Sequence, residues 1–165
     1  MKINGLNDWL NLAANIGVIG GLIFLAIEIN QNNALLRSET RQSLVANDVA
    51  TLTANLEHAD VFVRLASQEA LSAEDQLRLS FMYSLDMRNR EFEYFQYMNG
   101  VLDEASWQSY QQVIVFNHST ELGKKWWDEI GRGIVDPEFA VIVDALLADA
   151  EPANLYKRMS TWADP

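Results

Sequence analysis

Two histidines, His58 and His118, and a charged run, Arg88, Glu91 and Glu93, are the residues of this chain best suited to chemistry. A di-iron helical bundle needs Glu-x-x-His pairs, and neither histidine has glutamate three residues before it. Zinc sites fail for the same scarcity, with no cysteine to help. No Gly-x-Ser-x-Gly elbow and no phosphate-cradling glycine loop occurs. Arg88 and Glu91, three apart, can pair on a helix, and Arg88 falls between Leu85 and Phe92 on an apolar face. One reading is an anion or carboxylate site inside a bundle. The favoured one is an internal ion pair that fixes how the helices meet, because buried charge networks are often structural. No catalytic, cofactor-binding or metal-ligating residue is therefore nominated, and no cofactor is expected. An enzyme is the less favoured reading. Asn117-His118-Ser119 matches a glycosylation sequon, relevant only if the domain enters a glycosylating lumen.

The elements that carry these residues follow a long apolar segment, WLNLAANIGVIGGLIFLAIEI, residues 9–29. Helical rise takes it across roughly 31 Å, close to the thickness of a bilayer's hydrocarbon core. Its uninterrupted apolar run, residues 16–27, is short enough for a buried core helix. Asn11, Asn15 and Glu28, however, fall toward the interfaces, where polar groups cost less, and Trp9 sits where an interfacial aromatic belongs. The balance favours a single membrane-anchoring helix. A secretory signal is disfavoured, because Asp8 spoils the basic start and no small-x-small cleavage site precedes Glu28. Ala13, Gly17 and Gly21 recur every four residues, a small-residue ladder that lets two membrane helices approach closely. Gly20 widens this groove and Glu28 falls on nearly the same face. These four, Ala13, Gly17, Gly21 and Glu28, are a candidate self-association seam. The alternative is that glycine is simply common in membrane helices. Lys2 on one side and Arg37 and Arg41 on the other predict an N-out, C-in orientation by the positive-inside rule.

The chain carries 12 basic and 23 acidic residues, a formal net charge of -11. Such a balance leaves no footprint for a phosphate backbone, so nucleic acid is not an expected partner. The absence of cysteine fits a reducing compartment. No proline precedes residue 137, which frees long stretches to be helical. Helix can continue past Gln31-Asn32-Asn33 to about Leu56, with Val45, Val49, Leu52 and Leu56 as a stripe. Asp60 is a candidate cap for a short helix with Phe62 and Leu65. Ser72 and Asp75 form a capping-box pattern for a long helix stopping at Asn99-Gly100, with Leu77, Phe81, Leu85, Phe92 and Phe95 expected inward. Asp103 caps the next helix, where Trp107, Tyr110 and Ile114 share a face. Ser119 or Thr120 starts another, through Trp126 and Trp127, the pair expected half in the core and half at the surface. Ile130 follows, with a stop near Gly131 and Gly133. Asp136-Pro137 opens a helix with a stripe of Phe139, Ile142, Val143, Leu146 and Leu147. No period-two run suggests a sheet. The prediction is an all-α fold: an anchor over residues 1–33, a helical domain over 34–150 and a loosely held tail over 151–165.

The segments GLIFLAIEINQNNALLR, RNREFEYFQYMNGVLDEASW and GKKWWDEI followed by VDPEFAVIVDALL give the chain its likeness. It resembles a widespread bacterial family of uncharacterised proteins with one N-terminal hydrophobic helix and a helical remainder. Gln31 and Asn32 match that family's pair after the hydrophobic helix. Arg88, Glu91, Tyr94, Gln96, Gly100, Leu102 and Asp103 match its second block. The chain departs from it at Glu28, where glutamine is common, and at Phe92, where asparagine is. The resemblance implies architecture and no activity. The expected function is a membrane-anchored, oligomeric interaction or scaffold component of the bacterial inner membrane, with a cytoplasmic helical domain. Its expected partners are the lipid bilayer, further copies of itself and another protein. The alternatives are a soluble helical oligomer with residues 9–29 buried in its core, and a ligand-binding helical bundle.

Overall fold

A computed structural model describes residues 5–151 and 155–163. Lys2 and Pro152 lie outside the described residues. Those described form helices and connecting turns with no strand among them, in the order α1 (Gly5–Glu57), α2 (Ala59–Ala66), α3 (Ala73–Met98), α4 (Glu104–His118), α5 (Glu121–Glu129), α6 (Pro137–Ala148) and α7 (Leu155–Thr161). A single 3-10 turn, Gly131–Gly133, links α5 to α6. The all-α prediction, with a long first helix ahead of a bundle, holds. The chain divides into two compact units between Gln42 and Ser43.

The first unit is helix throughout its described residues. Its large apolar side chains from Trp9 to Leu36 are exposed on every face. This is one helix long and apolar enough, by length and composition, to cross a membrane.

The second unit begins inside α1 and is built from locally encoded stops and starts. Ser72 Oγ accepts from Asp75 N at 3.1 Å and Asp75 Oδ2 accepts from Ser72 N at 3.2 Å, the reciprocal capping box predicted for α3. Gly100, at φ +69°, closes α3 in the left-handed conformation that glycine adopts without penalty. Asp103, Thr120 and Asp136 cap α4, α5 and α6, the last with Pro137 in the first turn. Asp60 does not cap α2. That helix starts one residue earlier, and Asp60 pairs with Arg64 in its own first turns instead. The predicted tail contains α7, which lies beside α2.

The core joins Val61 of α2, Leu79, Tyr83, Met87 and Tyr94 of α3, Trp107 and Ile114 of α4, both tryptophans of α5, and Phe139, Val143 and Leu147 of α6. Trp126 and Trp127 are therefore both interior, not divided between core and surface. Each indole N–H finds an acceptor on a half-buried residue, Ser80 Oγ at 3.0 Å and Asp144 Oδ1 at 2.9 Å, which removes the cost of burying it. Ile130 is exposed instead.

The predicted inner face of α3 is reversed. Leu77, Phe81, Leu85 and Phe95 are exposed, Phe81 by 68%, and Phe92 is half-buried. The buried side carries Leu79, Met82, Tyr83, Met87 and Tyr94 together with Asp86, Arg90, Glu91 and Glu93. Apolar periodicity assigns charged positions to solvent. Here the charges neutralise one another inside and the phenylalanines are left outside.

Candidate functional site

Arg90 is the centre of the most heavily charged interior of the bundle. It leaves α3 one turn after Asp86 and one turn before Glu93, so all three share a face. Its side chain is 3% exposed, Glu93's is 2% and Asp86's 8%. The guanidinium donates from Nη2 to Asp48 Oδ1 of α1 at 2.5 Å. Its Nη1 lies 3.1 Å from Glu93 Oε2, and Nε stands 3.8 Å from Asp86 Oδ1 without a hydrogen bond. Above the ring of Tyr110 in α4, the Arg90 guanidinium carbon sits 5.2 Å from the centroid, a cation–π contact.

A second layer completes the cluster from the end of α4. His118 Nε2 is 3.0 Å from Asp86 Oδ2, and Asn117 Nδ2 donates to the same oxygen at 3.0 Å. His118 is fully buried between Tyr83 and Trp126, with ring centroids 4.8 and 5.5 Å away. Its position depends on Gly123: a side-chain carbon there would come within 2.7 Å of the His118 backbone, so only glycine lets α5 start so close to the end of α4. From the other side Asn89 Nδ2 donates to Thr51 Oγ1 at 2.7 Å, a further tie between α1 and α3.

These surroundings set the protonation states. Burial is the largest influence on Glu93. Although Arg90 favours its charged form, nearby Asp48 and Asp86 add to the burial cost, and the carboxyl is pushed up to about 8. Burial also acts most strongly on Asp86, upward. The hydrogen bond and attraction from His118, the charge of Arg90 and the Asn117 amide together outweigh it and hold Asp86 below the ordinary carboxylate value. For Arg90, burial opposes the charge, but Glu93, Asp86 and Asp48 more than compensate and hold the guanidinium protonated. The arrangement fits a structural cluster that stores a proton on Glu93. It does not resemble a cation site, since the guanidinium fills the centre that a cation would take. Among the described residues no group of three or more His, Asp or Glu side chains is placed to hold a metal.

The residues nominated from sequence fall elsewhere. Arg88 and Glu91 do pair, Nη1 to Oε2 at 2.5 Å, but Arg88 is 58% exposed and only Glu91 is buried. Arg88 also donates to the Ile134 carbonyl at 3.2 Å, and Glu91 Oε1 accepts from Asp136 N at 2.5 Å. The pair ties α3 to the turn that starts α6. Glu91→Ala should destabilise the bundle by about 1–3 kcal/mol, because it orphans a part-buried backbone N–H. Arg88→Ala should cost less than Glu91→Ala, because Arg88 is itself 58% exposed and Glu91 Oε1 keeps its bond from Asp136 N. Urea denaturation of the two variants in mild detergent checks this, and equal losses would contradict it. Ala13, Gly17, Gly21 and Glu28 are all exposed on α1, and a side-chain carbon added at Gly17, Gly20 or Gly21 would meet nothing within 4 Å.

Arg90 is the residue that sequence reading passed over. Its signal was present in the spacing Asp86–Arg90–Glu93, four and then three residues apart. What the sequence could not supply was the arrival of His118 and Asp48 from other helices. No family model, curated protein or solved structure matches the chain.

Proposed function

We propose that this protein is a single-span, membrane-anchored scaffold whose α-helical bundle is held at the cytoplasmic face of a bacterial inner membrane. It acts through assembly with copies of itself and with another protein, not through catalysis. The observation that carries this reading is the first unit's surface: apolar side chains from Trp9 to Leu36 exposed all round a helix, where water would be the worst solvent for them. Within the bilayer the close-packing face is that of Ala13, Gly17 and Gly21, because helices in lipid attract one another by backbone approach and not by the hydrophobic effect. Glu28, near the interface, is solvated there or bonded to a neighbour.

Fractionation tests the anchor. The full chain should stay with membranes through an alkaline carbonate wash and leave them only in detergent. A monodisperse soluble species without detergent would refute it. For the seam, Gly17→Ile combined with Gly21→Ile should lower the oligomer size in mild detergent, and an unchanged size would show that the glycines are not in contact. Protease protection of the bundle in spheroplasts supports the N-out orientation, and digestion from outside reverses it.

A further inference from the structure

The stripe of Val45, Val49, Leu52 and Leu56 on α1 is exposed, and the opposite side of the same stretch buries Leu44 and Thr51. Residues 43–57 and α3 belong to the same compact unit. Leu44 lies outside the apolar core cluster, which runs from α2 to α6. Polar bonds tie this stretch to α3 instead. Arg90 Nη2 donates to Asp48 Oδ1 at 2.5 Å, and Asn89 Nδ2 donates to Thr51 Oγ1 at 2.7 Å and to the Asn47 carbonyl at 3.4 Å. One guanidinium, Arg90, thus pairs with three carboxyls. Of the three, Asp48 alone comes from α1, and its side chain is 37% exposed, while Asp86 and Glu93 are buried on α3 itself.

The balance of charge among these groups depends on one proton. With Glu93 protonated, Arg90 is balanced by Asp86 and Asp48. With Glu93 ionised, α3 supplies two buried carboxylates of its own, 3.1 and 3.8 Å from the guanidinium, and a third acid is surplus. A buried charge without compensation is costly. Asp86 is held in place by His118 and Asn117, and Glu93 has no path to water. Asp48 already meets solvent and is the acid that can leave. We propose that Arg90 is a pH-released clasp: while Glu93 keeps its proton, Arg90 holds Asp48 and residues 43–57 lie against α3, and once Glu93 ionises that stretch of α1 loosens while the bundle stays folded. Burial pushes the Glu93 carboxyl up to about 8, so release accompanies a rise in pH through that value. The groups that face Glu93 or its partners are Asp48 of α1, Asp86 and Arg90 of α3, and Tyr110 and His118 of α4.

The absence of cysteine makes the test clean. Two pairs of spin labels are placed in the full chain at exposed positions: Ala50→Cys with Leu77→Cys, across α1 and α3, and Leu77→Cys with Val141→Cys, within the bundle. Labelled chains are diluted with unlabelled chain in mild detergent, so that each distance is read within one molecule. Between pH 6 and pH 9 the share of longer distances in the first pair should rise several-fold, and the second pair should stay unchanged. Glu93→Gln, which cannot ionise, should keep the short distances at both values. Asp48→Ala, which removes the grip, should show the long ones already at pH 6. A first pair that ignores pH overturns the proposal, as does the same lengthening in Glu93→Gln. Short distances in Asp48→Ala at pH 6 overturn it too, because the Arg90 bond would then not be what holds α1. Lengthening of both pairs together means that the whole bundle opens, and that result also removes the clasp.

Discussion

Replacing Arg90 with methionine should cost the bundle about 3–5 kcal/mol, the loss expected when one partner of a buried charge network is removed. The guanidinium pairs with Asp48, Asp86 and Glu93 together, and its side chain is 3% exposed. Methionine fills much of the same volume, so the loss reports charge and hydrogen bonding more than a cavity. Arg90→Lys should recover only part of it, because an ammonium is a point donor and cannot span Asp48 and Glu93 as a planar fork does. Adding Glu93→Gln to Arg90→Met should restore a measurable share by deleting an uncompensated acid. Urea midpoints of the three variants in mild detergent give these differences. An Arg90→Met loss below about 0.5 kcal/mol, the range of ordinary surface changes, would show that the cluster does not hold the bundle.

Raising pH should weaken the same region, and Glu93 gives the direction. Its carboxyl ionises near 4.5 in the unfolded chain and near 8 when folded. Between those values the folded state keeps a proton that the unfolded state has released. Stability is therefore fully present below about 4.5, falls as pH rises, and levels off above about 8. At ~1.4 kcal/mol for each tenfold change in proton affinity, the loss is a few kcal/mol. Groups facing Glu93 are Arg90 and Asp86 on its own helix and Asp48 on α1, while His118 and Tyr110 of α4 flank Asp86 and Arg90. Asp86 contributes oppositely: held low in the folded state, it adds stability above the ordinary carboxylate value and loses it as pH falls through its own. Glu93→Gln should melt higher than the parent at pH 9 and match it near pH 5. Thermal melts by circular dichroism across that range decide the matter, and parallel curves for parent and variant would remove the stored proton from the description.

The helix ends were legible because their causes are local. Ser72 with Asp75, Asn99-Gly100, Asp103 and Asp136-Pro137 act within a turn of themselves, and each sits where its chemistry requires. The stripe of α6 was legible too, since Phe139, Val143 and Leu147 face a conventional apolar core. The face of α3 was not. Counting apolar residues cannot detect that Asp86 meets His118 from 32 positions away or that Arg90 meets Asp48 from 42. Once those partners arrive, burying the charged side becomes affordable and Phe81 is left outside. For the same reason the charge cluster was found on the right helix but two residues from its centre. Arg88 and Arg90 lie roughly 200° apart around the helix, one at the surface and one inside. The four-residue spacing of Ala13, Gly17 and Gly21 is a property of the sequence alone, and all three are exposed on α1.

Accessibility along α1 is the most direct measurement of all. Single cysteines from Leu12 to Ile29 can be spin-labelled in the full chain and compared for collisions with oxygen, which dissolves in lipid, and with a water-soluble nickel chelate. For a membrane span, oxygen access should rise toward the middle of the segment and nickel access should fall. Lower values for both reagents should appear only at Ala13, Gly17 and Gly21. High nickel access along residues 12–29, or protection from both reagents around the whole helix, would contradict a lipid-facing span and place the segment in water or in the core of a soluble assembly.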